Sequence, residues 1–162
     1  MTKGINVRQF NESYAAGTAR FRRFHGAKAF LVKHYMGIHL LDETPEVVLF
    51  HVGGNDLPTK KNDPTSIESI ANTIIEAGQK CIDCGVEKVL ISGVITRKVF
   101  YQDKRRHALN ILLKSMCDAN GFFFIDNENI TQDYLFNDGV HLETHGSMLF
   151  KNNLLNALNN LF

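Results

Sequence analysis

The sequence predicts an α/β fold built on a parallel sheet with helices on both faces. Two observations carry this. Apolar runs of strand length, at 47–52, 87–94 and 122–126, alternate with longer stretches whose apolar residues recur at helical spacing. Glycines stand where two of those helical stretches stop, at Gly85 and Gly121. Strands spaced by helices require right-handed crossovers, and such crossovers cover a parallel sheet on both sides.

Taken in order, residues 4–10 read as a short helix, followed by a turn at Gly17. Residues 18–24, "TARFRRF", read as a strand with basic residues near its end. After Gly26, the stretch 27–41 spaces Phe30, Leu31, His34 or Tyr35, Ile38 and Leu41 as one face of a helix. Pro45 precedes the strand at 47–52. Residues 66–84 form an amphipathic helix with Ile67, Ile70, Ala71, Ile74, Ile75 and Gly78 on one face. Thr65 or Ser66 caps it, and Glu68 and Glu76 lie outside. The next strand is 87–94, the next helix 102–120, and "FFFID" at 122–126 is a further strand. A loop then leads to a terminal helix over about 144–161.

At 162 residues one domain is expected, with a sizeable core. Apolar residues make up 44% and charged residues 22%, as in an ordinary soluble globule. No apolar run approaches the roughly 20 residues of a membrane span, and no secretory signal opens the sequence. A cytoplasmic chain is the simplest expectation, although a truncated start would hide a signal. Residues 1–33 carry seven cations against Glu12, a balance of +6, which leaves −5 for the remainder of a net charge of +1. Aromatic residues are not interleaved as base stacking would need, so the basic end reads as a solvated face and nucleic acid is not the expected partner.

Parallel sheets bind ligands at the carboxyl ends of their strands. Gly26, the segment Gly53–Asp56 and the loop before Asp138 all fall there. Asp138-Gly139-Val140-His141 has a chemical logic. A carboxylate three residues before an imidazole can accept its Nδ1–H and leave Nε2 free as a base. The side-chain amide of Asn55 and the backbone N–H of Gly26 can donate to a developing oxyanion. Alone, each piece has a bland alternative: a helix-cap aspartate beside a surface histidine, or a plain turn.

In combination and in this order, "VVLFHVGGNDLP" and "NDGVHLETHGSMLF" resemble the SGNH (GDSL-type) ester hydrolases. The resemblance runs over essentially the whole chain. It implies a flavodoxin-like three-layer α/β/α fold with His141 and Asp138 as catalytic base and orienting acid. It also implies Gly26 and Asn55 as oxyanion-hole residues, with Gly53 in the supporting turn. The opening "MTKGINVRQFN" and the segment "IDNENIT" are further similar to SGNH-type reading frames of invertebrate genomes, some of them linked to retroelements.

The departure lies at the N-terminus. In the family a central first strand ends on Gly-Asp-Ser, whose serine is the nucleophile. No Gly-Asp-Ser occurs in this sequence, and "MTKGINVRQF" resembles the family segment immediately after that serine. Thr2, Ser13, Ser66, Ser69, Ser92 and Ser147 lack a local turn of the needed kind, and the three cysteines fare no better. The expectation is therefore one SGNH-like domain over 1–162, N-terminally incomplete, without its first, central strand and without a nucleophile. Ester hydrolysis is not expected from it, and a start called too late, gene decay or a non-catalytic binding module would each account for the loss. An intact form would act on a small-molecule ester. A gap beside strand 47–52 would result, unless strand 18–24 moved across it or the domain were marginal.

The remaining motifs point elsewhere only weakly. Cys81, Cys84 and Cys117 are too few and too scattered for a disulfide framework, and one C-x-x-C does not make a zinc site. His141 and His145 are one helical turn apart, but Glu143 stands in the wrong place for the H-E-x-x-H zinc motif. Neither a metal nor a cofactor is expected. His25 sits beside Gly26 at the mouth of the presumed site, and His51 inside a strand is expected to pack near the sheet. "YQDKRRH" (101–107) begins a solvated helix or binds phosphate. A flavodoxin-like nucleotide binder would need a glycine-rich phosphate loop, which is lacking.

Overall fold

The computed structural model describes residues 5–15, 17–42, 45–58, 60 and 62–161, the side chains of 37–42 excepted. Helix α1 (Val7–Ser13) leads to α2 (Ala29–Asp42), followed by β1 (Val47–Phe50), α3 (Ile67–Asp83) and β2 (Lys88–Ser92). Then come α4 (Phe100–Asn120), β3 (Phe123–Ile125), a 3₁₀ turn (Gln132–Tyr134) and α5 (Thr144–Asn159). The strands form one parallel sheet in the order β1-β2-β3. Val47 lies opposite Lys88 in the first pair, and Leu90 opposite Phe123 in the second.

Three layers result. Phe50, Val89 and Ile91 face a core shared with Ala29 and Met36 of α2, Ile74 of α3, and Leu109 and Leu113 of α4. On the opposite face Leu90 and Ile125 pack with Phe10 of α1 and Phe150, Leu154 and Leu158 of α5. Alternation along each strand divides its side chains between the two cores. This is the α/β three-layer architecture expected from the sequence.

Local chemistry sets the helix starts. Asn6 caps α1 through its side-chain oxygen, which accepts from the N–H groups of Arg8 and Gln9 at 3.0 and 3.2 Å. Its capping starts the helix at Val7, later than the sequence suggests. Ser66 Oγ accepts from Ser69 N at 3.1 Å and starts α3. Asn110, buried inside α4, brackets the backbone just beyond β2. Its Oδ1 accepts from Val94 N at 2.8 Å, and its Nδ2 donates to Val94 O at 2.9 Å.

Two expectations fail. Residues 18–24 are not a strand but an irregular extended segment. A strand needs a ladder partner, and among the described residues none pairs with this one. The Asn11 side chain instead takes both backbone groups of Ala19, accepting from its N–H at 2.8 Å and donating to its carbonyl at 3.3 Å. The second failure is the buried face of α2. Phe30 is 67% exposed, and Leu31 and Tyr35 are exposed as well, whereas Ala29 and Met36 are buried and Val32 packs on the core. Asp56 accepts from Ala29 N with both carboxylate oxygens, at 3.1 and 3.0 Å. That cap fixes the rotation so that Ala29, Val32 and Met36 turn inward, at spacings of three and four. Tyr35 stacks on Phe24 at 6.2 Å instead. The predicted Ile38 and Leu41 lie outside the described side chains.

Candidate functional site

Three segments meet at the carboxyl end of the sheet. After β1 the chain turns through Gly53-Gly54-Asn55-Asp56, with Asp56 N donating to Gly53 O at 3.1 Å. Gly53 has φ +104°, and a Cβ there would stand 3.2 Å from both Ile74 Cδ1 and Val94 Cγ2. The turn therefore lies close against the core, where an added side chain would force Ile74 and Val94 to shift. Asn55 Nδ2 donates to Ala27 O at 3.2 Å, and Asp56 caps α2. Together they tie this turn to the turn at Gly26, where φ is +67°. Burial raises the Asp56 carboxyl above its ordinary value, against the lowering effect of the Ala29 N–H.

The third segment holds Asp138 and His141. A short antiparallel bridge between Leu135 and Leu142 closes this loop. Phe136 N donates to His141 O at 2.9 Å, and Glu143 N to Tyr134 O at 2.9 Å. Inside it, Asp138 Oδ1 accepts from the backbone N–H groups of Val140 and His141, each at 2.9 Å. The other oxygen, Oδ2, meets His141 Nδ1 at 2.6 Å. The His141 backbone N–H, then its ring, then the Val140 N–H hold the Asp138 carboxyl far below the usual carboxylate range. An ionised carboxylate only accepts, so in the neutral imidazole of His141 the proton sits on Nδ1 and the lone pair on Nε2. The imidazole side chain is 55% exposed.

One cavity of about 920 Å³ joins these parts. His25, Gly26, Gly53, Asn55 and His141 line it, while Asp138 stands behind the imidazole and does not. The structure thus brings Gly26, Gly53, Asn55 and His141 to one opening. Among the described residues, His141 hydrogen-bonds only to Asp138 and Phe136, and no hydroxyl or thiol is bonded to it.

Sequence reasoning missed Arg97. It follows β2, is 3% exposed, and its Nη1 lies 3.5 Å from Val140 O. A Cβ on Gly54 would stand 2.4 Å from its Nη2. The guanidinium is therefore wedged between the turn after β1 and the loop carrying His141. Burial lowers its pKa, and Asp138 and Asp103 oppose that shift. The only sequence signal was a cation just after a strand end.

Other candidates resolve into structural roles. His51 packs its ring on Phe150 at 4.6 Å, and its Nδ1 lies 3.1 Å from Ser92 Oγ. Asn127 Nδ2 donates to the same hydroxyl at 2.9 Å. Burial drives the His51 pKa down to about 4. His145 stacks on Tyr134 at 5.3 Å. Arg106, within "YQDKRRH", is buried and pairs with Asp103 at 3.0 Å and with Glu128. All three cysteines are free thiols, with Cys84 exposed and the other two buried. Among the described residues no group of three or more His, Cys, Asp or Glu side chains could hold a metal ion. No described helix is long and apolar enough to cross a membrane.

No protein-family model matches the chain. No curated protein matches it either. Solved structures do. An acetyl xylan esterase superposes with a TM-score of 0.81 at 18% identity, covering 96% of this chain and 91% of that one. A GDSL-like lipase of Bacteroides thetaiotaomicron gives 0.78 at 15% identity, with 96% and 82% covered. A catalytic mutant of an acetylxylan esterase from Geobacillus stearothermophilus gives 0.77 at 13% identity, with 94% and 78% covered. The fold is the one these esterases share.

Proposed function

We propose that residues 1–162 form a single SGNH-type ester hydrolase domain that holds the base and oxyanion side of the site but no placed nucleophile. In this reading His141 Nε2 is the base and Asp138 orients and stabilises the imidazolium. Gly26 N–H and the second N–H of the Asn55 amide are the oxyanion donors. The carrying observation is the 2.6 Å contact between Asp138 and His141, on a cavity shared with Gly26 and Asn55. The esterase names of the structural neighbours support the reaction class, and a small-molecule ester is the substrate of a form with a nucleophile.

In a triad enzyme the attacking hydroxyl gives its proton to the base as it bonds to the acyl carbon, and the alkoxide then leaves with that proton. Without the hydroxyl no acyl-enzyme forms. Loss of a triad serine costs on the order of 10⁶-fold in turnover. The 162-residue chain is therefore not expected to turn esters over. The second reading, a non-catalytic interaction module on the same fold, is favoured by the extension of the 920 Å³ cavity along β1, past the catalytic end.

The test compares p-nitrophenyl acetate hydrolysis by the chain and by an extended form carrying an apolar strand and Gly-Asp-Ser ahead of Met1. The extended form should gain a hydrolytic rate that His141→Ala removes. Activity surviving that substitution, or an equal His141-dependent rate without the extension, would overturn the assignment.

A further inference from the structure

Arg97 is a buried cation held mainly by its backbone. It is 3% exposed, and among the described residues the acceptor within reach of its guanidinium is Val140 O, 3.5 Å from Nη1. Burying a charge on so long a contact is costly. The main chain, by contrast, is firmly tied. Arg97 N donates to Asp103 Oδ1 at 2.9 Å, and Arg97 O accepts from Gln132 Nε2 at 2.7 Å. The next residue stitches the same loop: Lys98 N donates to Gly139 O at 3.1 Å, and Lys98 Nζ to Leu135 O at 3.2 Å. The arginine is thus anchored at its root, and movement is left to its far end.

That far end stands between the two halves of the candidate site. On one side is the turn after β1, where a Cβ on Gly54 would lie 2.4 Å from Nη2 and 3.6 Å from Cζ. Asn55, the proposed oxyanion donor, is the next residue. On the other side is the Val140 carbonyl. This carbonyl shares a planar peptide unit with the His141 N–H, so turning one turns the other. The His141 N–H donates to Asp138 Oδ1 at 2.9 Å, and Asp138 Oδ2 meets the imidazole at 2.6 Å. Contacts therefore run from Gly54 through the guanidinium and one peptide plane to the imidazole.

We propose that Arg97 is a positioning residue whose guanidinium couples the Gly54 turn to the Val140–His141 peptide, and so sets the Asp138–His141 pair against the oxyanion side. The coupling stands on these contacts; its catalytic meaning rests on the reading of His141 as base. Two substitutions break it in different ways. Methionine removes the charge and ends one atom short of the guanidinium carbon. Lysine keeps a charge and ends near that carbon. Either leaves room for a Cβ on Gly54, because that carbon lies 3.6 Å from it. With arginine in place, Gly54→Ala instead drives the new Cβ against Nη2, and the displaced guanidinium moves the peptide it faces.

The test is a double-mutant cycle on the full chain, read by native-state amide exchange and nitrogen NMR. Arg97→Met should speed exchange of the His141 amide at least about tenfold, while the amide of Ile91 in β2 keeps its rate. Arg97→Lys should recover part of that protection, because a cation again faces the Val140 carbonyl. Gly54→Ala should change the His141 rate at least about threefold with Arg97 present, and leave it unchanged in the Arg97→Met and Arg97→Lys backgrounds. A general loosening that moves His141 and Ile91 together would overturn the proposal. So would an unchanged His141 rate in Arg97→Met, or a Gly54→Ala effect of equal size with and without the arginine. If Arg97→Met fails to fold, the lysine background carries the same comparison. The nitrogen spectrum decides the base reading separately. A neutral wild-type imidazole protonated on Nε2 would refute His141 as base, and the amide rates would still decide the coupling.

Discussion

Replacing Gly53 by alanine tests whether the candidate site is built on core packing or merely sits above it. Two costs are separable. The backbone has φ +104°, where a side chain is strained by about 1–3 kcal/mol. The new methyl would also press on Ile74 Cδ1 and Val94 Cγ2, each 3.2 Å away, and reach ordinary contact with Leu109 Cδ2 at 3.5 Å. Those neighbours are buried and must shift, which adds about 1–3 kcal/mol of overpacking. Gly26→Ala is the control, since its φ is +67° but nothing lies within 4 Å of the added carbon. It should cost only the backbone share, about 1–2 kcal/mol. Urea unfolding followed by far-UV circular dichroism gives both values when the slopes match wild type. The expected total for Gly53→Ala is about 2–6 kcal/mol, a large share of a typical domain's 5–15 kcal/mol. If Gly53→Ala were no more destabilising than Gly26→Ala, the close approach of this turn to α3 and α4 would be refuted.

Three further outcomes are expected. Carbon NMR of the Asp138 carboxyl should give a titration well below the ordinary value of about 3.9. Its folded pKa is depressed, so its contribution to stability is present above that value and fades as pH falls through the folded pKa; a midpoint near 4 would contradict the hydrogen-bond account. His51 should remain neutral by nitrogen NMR at pH 5.5, because its folded pKa is lowered to about 4. Stability should accordingly fall as pH drops from about 6.5, the unfolded value, toward 4, and His51→Gln should flatten that slope. Iodoacetamide should alkylate Cys84 first in the native protein. Cys81 and Cys117 are buried, and desolvation pushes each thiol up to about 12, so both should label only on unfolding.

What the sequence revealed depended on how local the determinant was. The helix at α3 is written in its own spacing: the apolar face predicted from Ile70, Ala71, Ile74 and Ile75 is the buried face observed. The pairing of Asp138 with His141 is also local, three residues apart with the turn between them satisfied by one carboxylate oxygen. By contrast, whether 18–24 is a strand depends on a ladder partner outside the segment, which its own composition does not record. The buried face of α2 was misjudged for a related reason. Apolar spacing allowed Phe30 and Tyr35 to point inward, but the helix rotation is set by Asp56 on a distant turn. Arg97 was illegible because nothing near it in sequence marks a buried guanidinium. Its surroundings, Gly54 and Val140, come from two other loops.

The central proposal is that, among the described residues, no hydroxyl or thiol is placed for the oriented imidazole of His141 to activate. A fluorophosphonate reacts with a nucleophile so activated, and intact-mass spectrometry reads the adduct directly. The account predicts that the 162-residue chain keeps its mass at concentrations that label a serine esterase to completion. A stoichiometric adduct on any serine, threonine or cysteine of the chain, lost in His141→Ala, would contradict it.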